Sequence, residues 1–257
     1  MIGDIIWITG ASSGIGADLA LKLAGLHKTV CVTARSHEKL QDLAEKAKSL
    51  NGKIVPFPGD VLSLEDMGII VEKIEQEIGE LDLAILNAGT YKPDTAVNFT
   101  AENFHNHVSV NLQGTANCLE PVLKRFIERK KGHIALVASV AGYRGLPRSL
   151  SYGPTKAALI NMAEALAIEC LDKGIKVQVI NPGFVKTPLT AQNDFEMPFI
   201  ISSGEAADYI CKGLMGNEFE ISFPWKMKSL LKLLGKLPDR LYFKAVKNAT
   251  EGKSTDK

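Results

Sequence analysis

The chain has 257 residues, with 46% hydrophobic and 23% charged positions and a net charge of +1. That length suits one large domain with a substantial core, and the near-neutral charge gives no reason to expect nucleic-acid binding. The four cysteines (Cys31, Cys118, Cys170 and Cys211) are widely spaced in apolar contexts, which fits buried thiols in a reducing compartment better than a disulfide frame or a metal cluster.

The N-terminus, MIGDIIWITG, has no basic region ahead of its apolar residues, so no signal peptide is expected. No apolar run is long enough to span a bilayer, and a cytoplasmic protein is expected. DIIWIT reads as the first strand, and TGASSGIG (9–16) joins it to a helix over 15–26. Here Gly10 permits a tight turn, Gly14 permits close approach of a ligand, and Gly16 permits close helix–strand packing. The helix N-terminus then offers free N–H groups to a pyrophosphate. The second strand, TVCVTA, ends at Ala34 and Arg35, with no carboxylate until Glu38. An acid at that point would favour NAD, whereas a guanidinium suits the 2′-phosphate of NADP. The other reading of Arg35 is a solvated strand-end residue.

A helix over 37–50 follows, then the strand KIVPF, the triplet GDV (59–61) and a helix over 63–78. LDLAIL is the fourth strand. NAG (87–89) follows it, and a helix is predicted over 101–129. HIALVAS is the fifth strand and ends at Ser139. SYGPTK (151–156) opens a helix over 152–173, where Pro154 is tolerated in the first turn. Tyr152 and Lys156 then lie one turn apart on one face. KVQVIN is the sixth strand, NPGFVKT (181–187) follows, and FEISF reads as one more strand. Strands alternating with helices predict a parallel sheet covered on both faces.

A single tyrosine four residues before a lysine is unspecific. The ordered set of TGASSGIG, GDV, NAG, Asn111, Ser139, Tyr152/Lys156 and NPGFVKT is specific, and it resembles the short-chain dehydrogenase/reductase family over roughly residues 4 to 222. The resemblance implies a doubly wound, Rossmann-type α/β fold in three layers. It implies one domain over 1–223 with a substrate lid at about 188–203, and the charge distribution adds a basic extension over 224–257. It also implies carbonyl–alcohol chemistry on a nicotinamide cofactor, and Arg35 in place of an acid favours NADPH over NADH. Gly10, Ser12, Ser13, Gly14 and Ile15 would hold the pyrophosphate. Arg35 would meet the 2′-phosphate, and Asp60 and Val61 the adenine. Asn87, Ala88 and Gly89 would border the cofactor, and Pro182, Gly183, Val185 and Thr187 would line its nicotinamide side. Ser139, Tyr152 and Lys156 would be catalytic, with Asn111 holding a water relay. Between the tyrosine and lysine the family often carries small residues, where this chain has Gly-Pro-Thr. A non-catalytic NADPH-binding module acting through partners is the alternative.

The chemistry explains the pairing. Reduction needs a hydride at carbon and a proton at oxygen, and a free tyrosine with pKa about 10 is a poor donor at neutral pH. Bringing it to 7 takes about 4 kcal/mol, which a lysine ~4 Å away supplies at an effective dielectric of ~20, with burial opposing. Val140, Tyr143 and Leu146 are expected in an apolar substrate pocket. Phe195, Met197, Pro198 and Phe199 either cover it or pack on the body. His105, His107, Cys170 and Cys211 read as packing or surface residues rather than ligands. Residues 224–257 carry nine Lys/Arg and three Asp/Glu, so the first 223 residues hold a net −5. Met227, Leu230, Leu231, Leu234 and Leu237 form one helical stripe, with Lys226, Lys228, Lys232 and Lys236 off it. That helix is expected to pack on the body or a partner subunit, and peripheral contact with an anionic membrane is the other reading. A homodimer or homotetramer through the helices at 101–129 and 152–173 is expected. The last eight or so residues are expected to lack order.

Overall fold

A computed structural model describes residues 2–251. The expectation of disorder at the extreme C-terminus falls almost entirely outside them. Seven parallel strands form the central sheet: β1 (Ile5–Thr9), β2 (Thr29–Thr33), β3 (Lys53–Pro56), β4 (Leu83–Leu86), β5 (Gly132–Val137), β6 (Ile175–Pro182) and, after a short pair β7 (Val185–Lys186) and β8 (Ile201–Ser202), β9 (Glu220–Phe223). The order is β3-β2-β1-β4-β5-β6-β9. The chain therefore reverses direction across the sheet between β1 and β4, where open α/β sheets form a crevice.

The strands carry apolar side chains on both faces because helices cover both. Ile6, Ile8, Val30, Val32 and Ile85 face α1 (Gly14–Gly25), α2 (His37–Lys46) and α7 (Ser203–Met215). Trp7, Cys31, Ala84, Ile134 and Val179 face α3 (Leu64–Glu77), α5 (Gly114–Arg129) and α6 (Tyr152–Glu169). Ser63, Thr100 and Ser202 cap α3, α4 (Ala101–His107) and α7 with side-chain oxygens, and Glu205 completes a capping box on α7. All four cysteines are buried and free, and burial pushes the Cys31 and Cys118 thiols up to about 12.

Three expected elements differ. The single helix over 101–129 is broken by a π-helical stretch, Val108–Gln113, which carries Asn111. Such stretches arise where a side chain is pulled out of the regular ladder, and they favour functional sites. The helix from Tyr152 ends at Glu169 rather than 173. The C-terminal region forms two helices, α8 (Trp225–Gly235) and α9 (Asp239–Glu251), separated at Pro238. They are fastened to the body by Met227, Tyr242 and Val246, all buried. Arg144 donates to the carbonyls of Gly235 and Leu237 and stacks on Tyr242, whose hydroxyl donates to Gly145. Leu230, expected on the packed stripe, is 43% exposed.

His133 on β5 donates from Nε2 to Gln178 at 2.9 Å and is buried. Gln178 spends its amide hydrogens on Gly213 and Glu218, so its oxygen is free to accept. Burial, aided by nearby Lys176, pushes the His133 pKa down to about 4. The unfolded chain protonates this ring near 6.5, so between those values the unfolded state binds the extra proton and is favoured. Stability should fall by about 2 kcal/mol between pH 7 and pH 5 from this group alone. A His133→Asn variant, followed by urea denaturation at both values, should lose that share of the slope. An unchanged slope would contradict the assignment.

Candidate active site

The C-terminal strand ends bring the expected residues to one rim. Gly10 follows β1, Arg35 follows β2, Asp60 and Val61 follow β3, and Asn87–Gly89 follow β4. Ser139 follows β5, and Pro182 to Thr187 close β6 and continue through β7. The ends of β1 and β4 are bolted together. Thr9 Oγ1 accepts the N–H groups of Asn87 at 3.0 Å and Ala88 at 3.1 Å, and Asn87 Nδ2 donates to the carbonyls of Thr9 and Gly10.

This close approach explains two glycines. A Cβ on Gly10, where φ is +68°, would sit 2.7 Å from the Ala88 Cα, and one on Gly16 would sit 2.6 Å from the Gly10 carbonyl oxygen. Gly14 lies beside Thr187, so Thr187 reaches the glycine loop. Ser13 at the N-cap of α1 makes no side-chain cap bond, and the first turn holds no acid. No side-chain cap and no first-turn acid therefore compete with an anion for the leading N–H groups of α1. Arg35 is exposed, and among the described residues its guanidinium makes no hydrogen bond or ion pair. Asp60 accepts from the Leu62 N–H at 3.0 Å, and the Val61 carbonyl accepts from Asn117 at 2.9 Å. Gly183 is held by the Phe223 carbonyl at 2.7 Å, and Val185 is buried.

At the centre, Lys156 is 4% exposed. Its Nζ donates to the Val137 carbonyl at 2.9 Å and lies 5.5 Å from the centre of the Tyr152 ring. Burial pushes this ammonium down to about 8. Burial also pushes the Tyr152 phenol up to about 12, with the Ser139 hydroxyl working against the rise and Tyr91 adding to it. The expected lowering toward 7 is thus absent from the protein's own groups: burial dominates, and the Ser139 hydroxyl alone works against it. Ser139 Oγ also accepts from the Ala141 N–H and reaches the Pro182 carbonyl.

Asn111 is fully buried, and its amide is spent on structure. Oδ1 accepts from the Thr90 N–H at 2.7 Å, while Nδ2 donates to the Thr90 carbonyl at 3.1 Å and to Thr155 Oγ1 at 3.0 Å. It ties the loop after NAG to the start of α6. Its main-chain carbonyl accepts from Thr115.

The expected substrate-side residues divide. Val140 is buried and Leu146 half-buried. Tyr143 does not join the group: its hydroxyl donates to Glu220 and meets Ser222, because the short turn Val140–Gly142 aims it at β9. Bonds from Lys232, Tyr143, Asn181 and Lys228 outweigh burial and hold the Glu220 carboxyl down to about 2. Phe195 packs edge-on to Phe184 and under Arg148, which also pairs with Asp194. Phe199 is 44% exposed.

Sequence reasoning passed over Tyr91, whose ring lies 5.0 Å from that of Tyr152 in an edge contact. Its hydroxyl donates to Asn193 at 2.9 Å, linking the segment at 188–203 to the tyrosine pair. It also passed over Asp94, a buried carboxylate that accepts from the Ser151 N–H and hydroxyl just ahead of Tyr152. Neither lies at a motif spacing; only the proximity of TYKPD to NAG could have drawn attention. His107, read as a packing residue, is buried beside Tyr152, accepting from the Lys92 N–H through Nε2.

A family model described as short chain dehydrogenase matches residues 4–197. An uncharacterized oxidoreductase of Myxococcus xanthus is 35% identical over 235 residues, 91% of this chain and 93% of that protein. The 3-oxoacyl-[acyl-carrier-protein] reductase FabG of Thermotoga maritima is 34% identical over 188 residues, 73% of this chain and 76% of that one. Among solved structures, ElxO with NADP bound superposes with a TM-score of 0.77 at 27% identity, covering 85% of this chain and 97% of that one. The chain belongs to the short chain dehydrogenase family and is an oxidoreductase of that family.

Asn111→Ala would leave the half-buried Thr90 N–H and carbonyl, and the buried Thr155 hydroxyl, without this partner, at about 1–3 kcal/mol for each orphaned group. The variant should unfold in urea with about 3 kcal/mol less stability. A loss under about 1 kcal/mol would show that the amide is not the clamp described.

Proposed function

We propose that the protein is an NADP(H)-dependent oxidoreductase that interconverts a carbonyl and an alcohol, with Tyr152 as general acid and base. The observation that carries this reading is the desolvated Tyr152–Lys156 pair beside Ser139, at the rim where α1 presents its glycine loop. The residues present suit the cofactor. Gly10, Gly14 and Gly16 leave room that a Cβ would fill, and the first turn of α1 would take the pyrophosphate. Arg35 would take the 2′-phosphate, which supports NADPH over NADH. The NADP bound in ElxO supports the same choice.

When bound, the reduced nicotinamide supplies the hydride. The Ser139 hydroxyl donates to the substrate carbonyl oxygen and stabilises charge as it develops there. Tyr152 delivers its phenolic proton to that oxygen, giving the alcohol. Lys156 remains cationic below about pH 8 and stabilises the phenolate left behind. Alcohol oxidation runs the same proton path in reverse. Tyr91, with Phe195 and Arg148, holds the segment over this pair and limits water there. The reading also includes self-association through α5 and α6, near which Ile127 and Ile168 are exposed.

Tyr152→Phe tests the reading against a non-catalytic nucleotide-binding module. Turnover of NADPH with a panel of ketones and aldehydes should drop by at least about 1,000-fold, while NADPH binding by fluorescence titration is kept. Carbonyl reduction persisting in the variant would refute the assignment. Arg35→Ala should weaken NADPH binding by about 10- to 100-fold and leave NADH nearly unaffected, as expected for loss of a charge-assisted bond to phosphate. Equal weakening of both would remove Arg35 from that role.

A further inference from the structure

The C-terminal helices use one face to hold the body and leave another outward. On α8, Met227 turns in, while Trp225 and Leu233 are each 66% exposed and Leu230 is 43% exposed. Residues 225, 229 and 233 share one side of the helix, with 226 and 230 beside them. On α9, Tyr242 and Val246 turn in, while Leu241 is 56% and Phe243 63% exposed. The basic residues divide in the same way. Lys228 and Lys232 are tied to Glu220. Lys226, Lys236, Arg240 and Lys244 are exposed, and among the described residues their side chains have no hydrogen bond or ion pair. Large apolar side chains standing in water beside unpaired cations are costly unless something covers them.

We propose that this outward face docks on an anionic phospholipid surface. Trp and Phe place amphipathic or apolar rings at the headgroup level, leucines enter the acyl boundary, and Lys and Arg meet the phosphates. No helix among the described residues is long and apolar enough to cross a membrane, so the helices lie on the surface rather than in it. The charge distribution orients the molecule. The extension over 224–257 carries a surplus of six positive charges, while the first 223 residues carry −5, so an anionic surface attracts one end and repels the other. A second copy is a poorer occupant, because two equally basic faces would meet across a two-fold axis.

The chain reports on its own docking. It has two tryptophans, and Trp7 is fully buried, so an environmental change at Trp225 dominates any spectral shift. Full-length protein is mixed with phosphatidylcholine vesicles, with or without phosphatidylglycerol, and followed by tryptophan emission and co-sedimentation. The expected result is a blue shift and co-sedimentation only with phosphatidylglycerol, reversed by high salt. Replacing three exposed cations (Lys226→Gln, Lys236→Gln, Arg240→Gln) should lower the partition coefficient roughly 100-fold. Trp225→Ala should abolish the shift while keeping the fold by circular dichroism. No shift with phosphatidylglycerol at low salt overturns the proposal. So does equal binding to neutral vesicles that is unaffected by the triple substitution. A concentration-dependent blue shift without vesicles, matched by dimers in sedimentation, assigns the face to a second copy instead.

Discussion

An ammonium group held almost wholly away from solvent organises the site. Lys156 has little water around it, and its hydrogen bond goes to a carbonyl at the end of β5. Isolating a charge in this way is unfavourable, which is why burial drags its pKa to about 8. The surrounding structure sustains the arrangement because every neighbour is independently anchored. Val137 is fixed by the sheet register with Ile180, Tyr152 by the first turn of α6, and Thr155 by Asn111. Removing one support would not free the lysine, only leave it less well placed.

The second constraint is the contact between the ends of β1 and β4. Two strands that are neighbours in the sheet but 78 residues apart in sequence are joined by Thr9 and Asn87. That junction brings backbone so close that only glycine fits at positions 10 and 16. The glycine loop is therefore shaped from beneath by NAG as much as by its own sequence. The same loop after NAG continues to Thr90 and Tyr91, and so reaches Tyr152. The glycine loop and Tyr152 both rest on one short stretch of chain.

Much of the fold was legible because helices and strands here follow their apolar periods, and because parallel strands covered on both sides read as unbroken apolar runs. The strand order was not legible in that alternation, because the chain jumps from β3 past β2 and β1 to β4 before it builds outward again. The residues at the strand ends were legible for a related reason: strand–turn–helix junctions have short, demanding geometry that limits which side chains fit. Reading failed where geometry is set by distant partners. Tyr143 was expected in the pocket, yet Glu220 and Ser222 claim its hydroxyl. The π-helical stretch at Asn111 depends on Thr90, 21 residues upstream, and a local period does not register it.

The sequence alone determined the order of elements, the glycine loop, the spacing of Tyr152 and Lys156, and the unequal placement of charge, because each is a local or additive property of the chain. Only the tertiary structure decided that the phenol rises to about 12 rather than falls, that Asn111 is a clamp, and which side of the C-terminal helices faces outward. Those outcomes depend on how much water neighbouring segments exclude and which polar groups they bring within bonding distance. Such quantities exist only once residues far apart in sequence have packed.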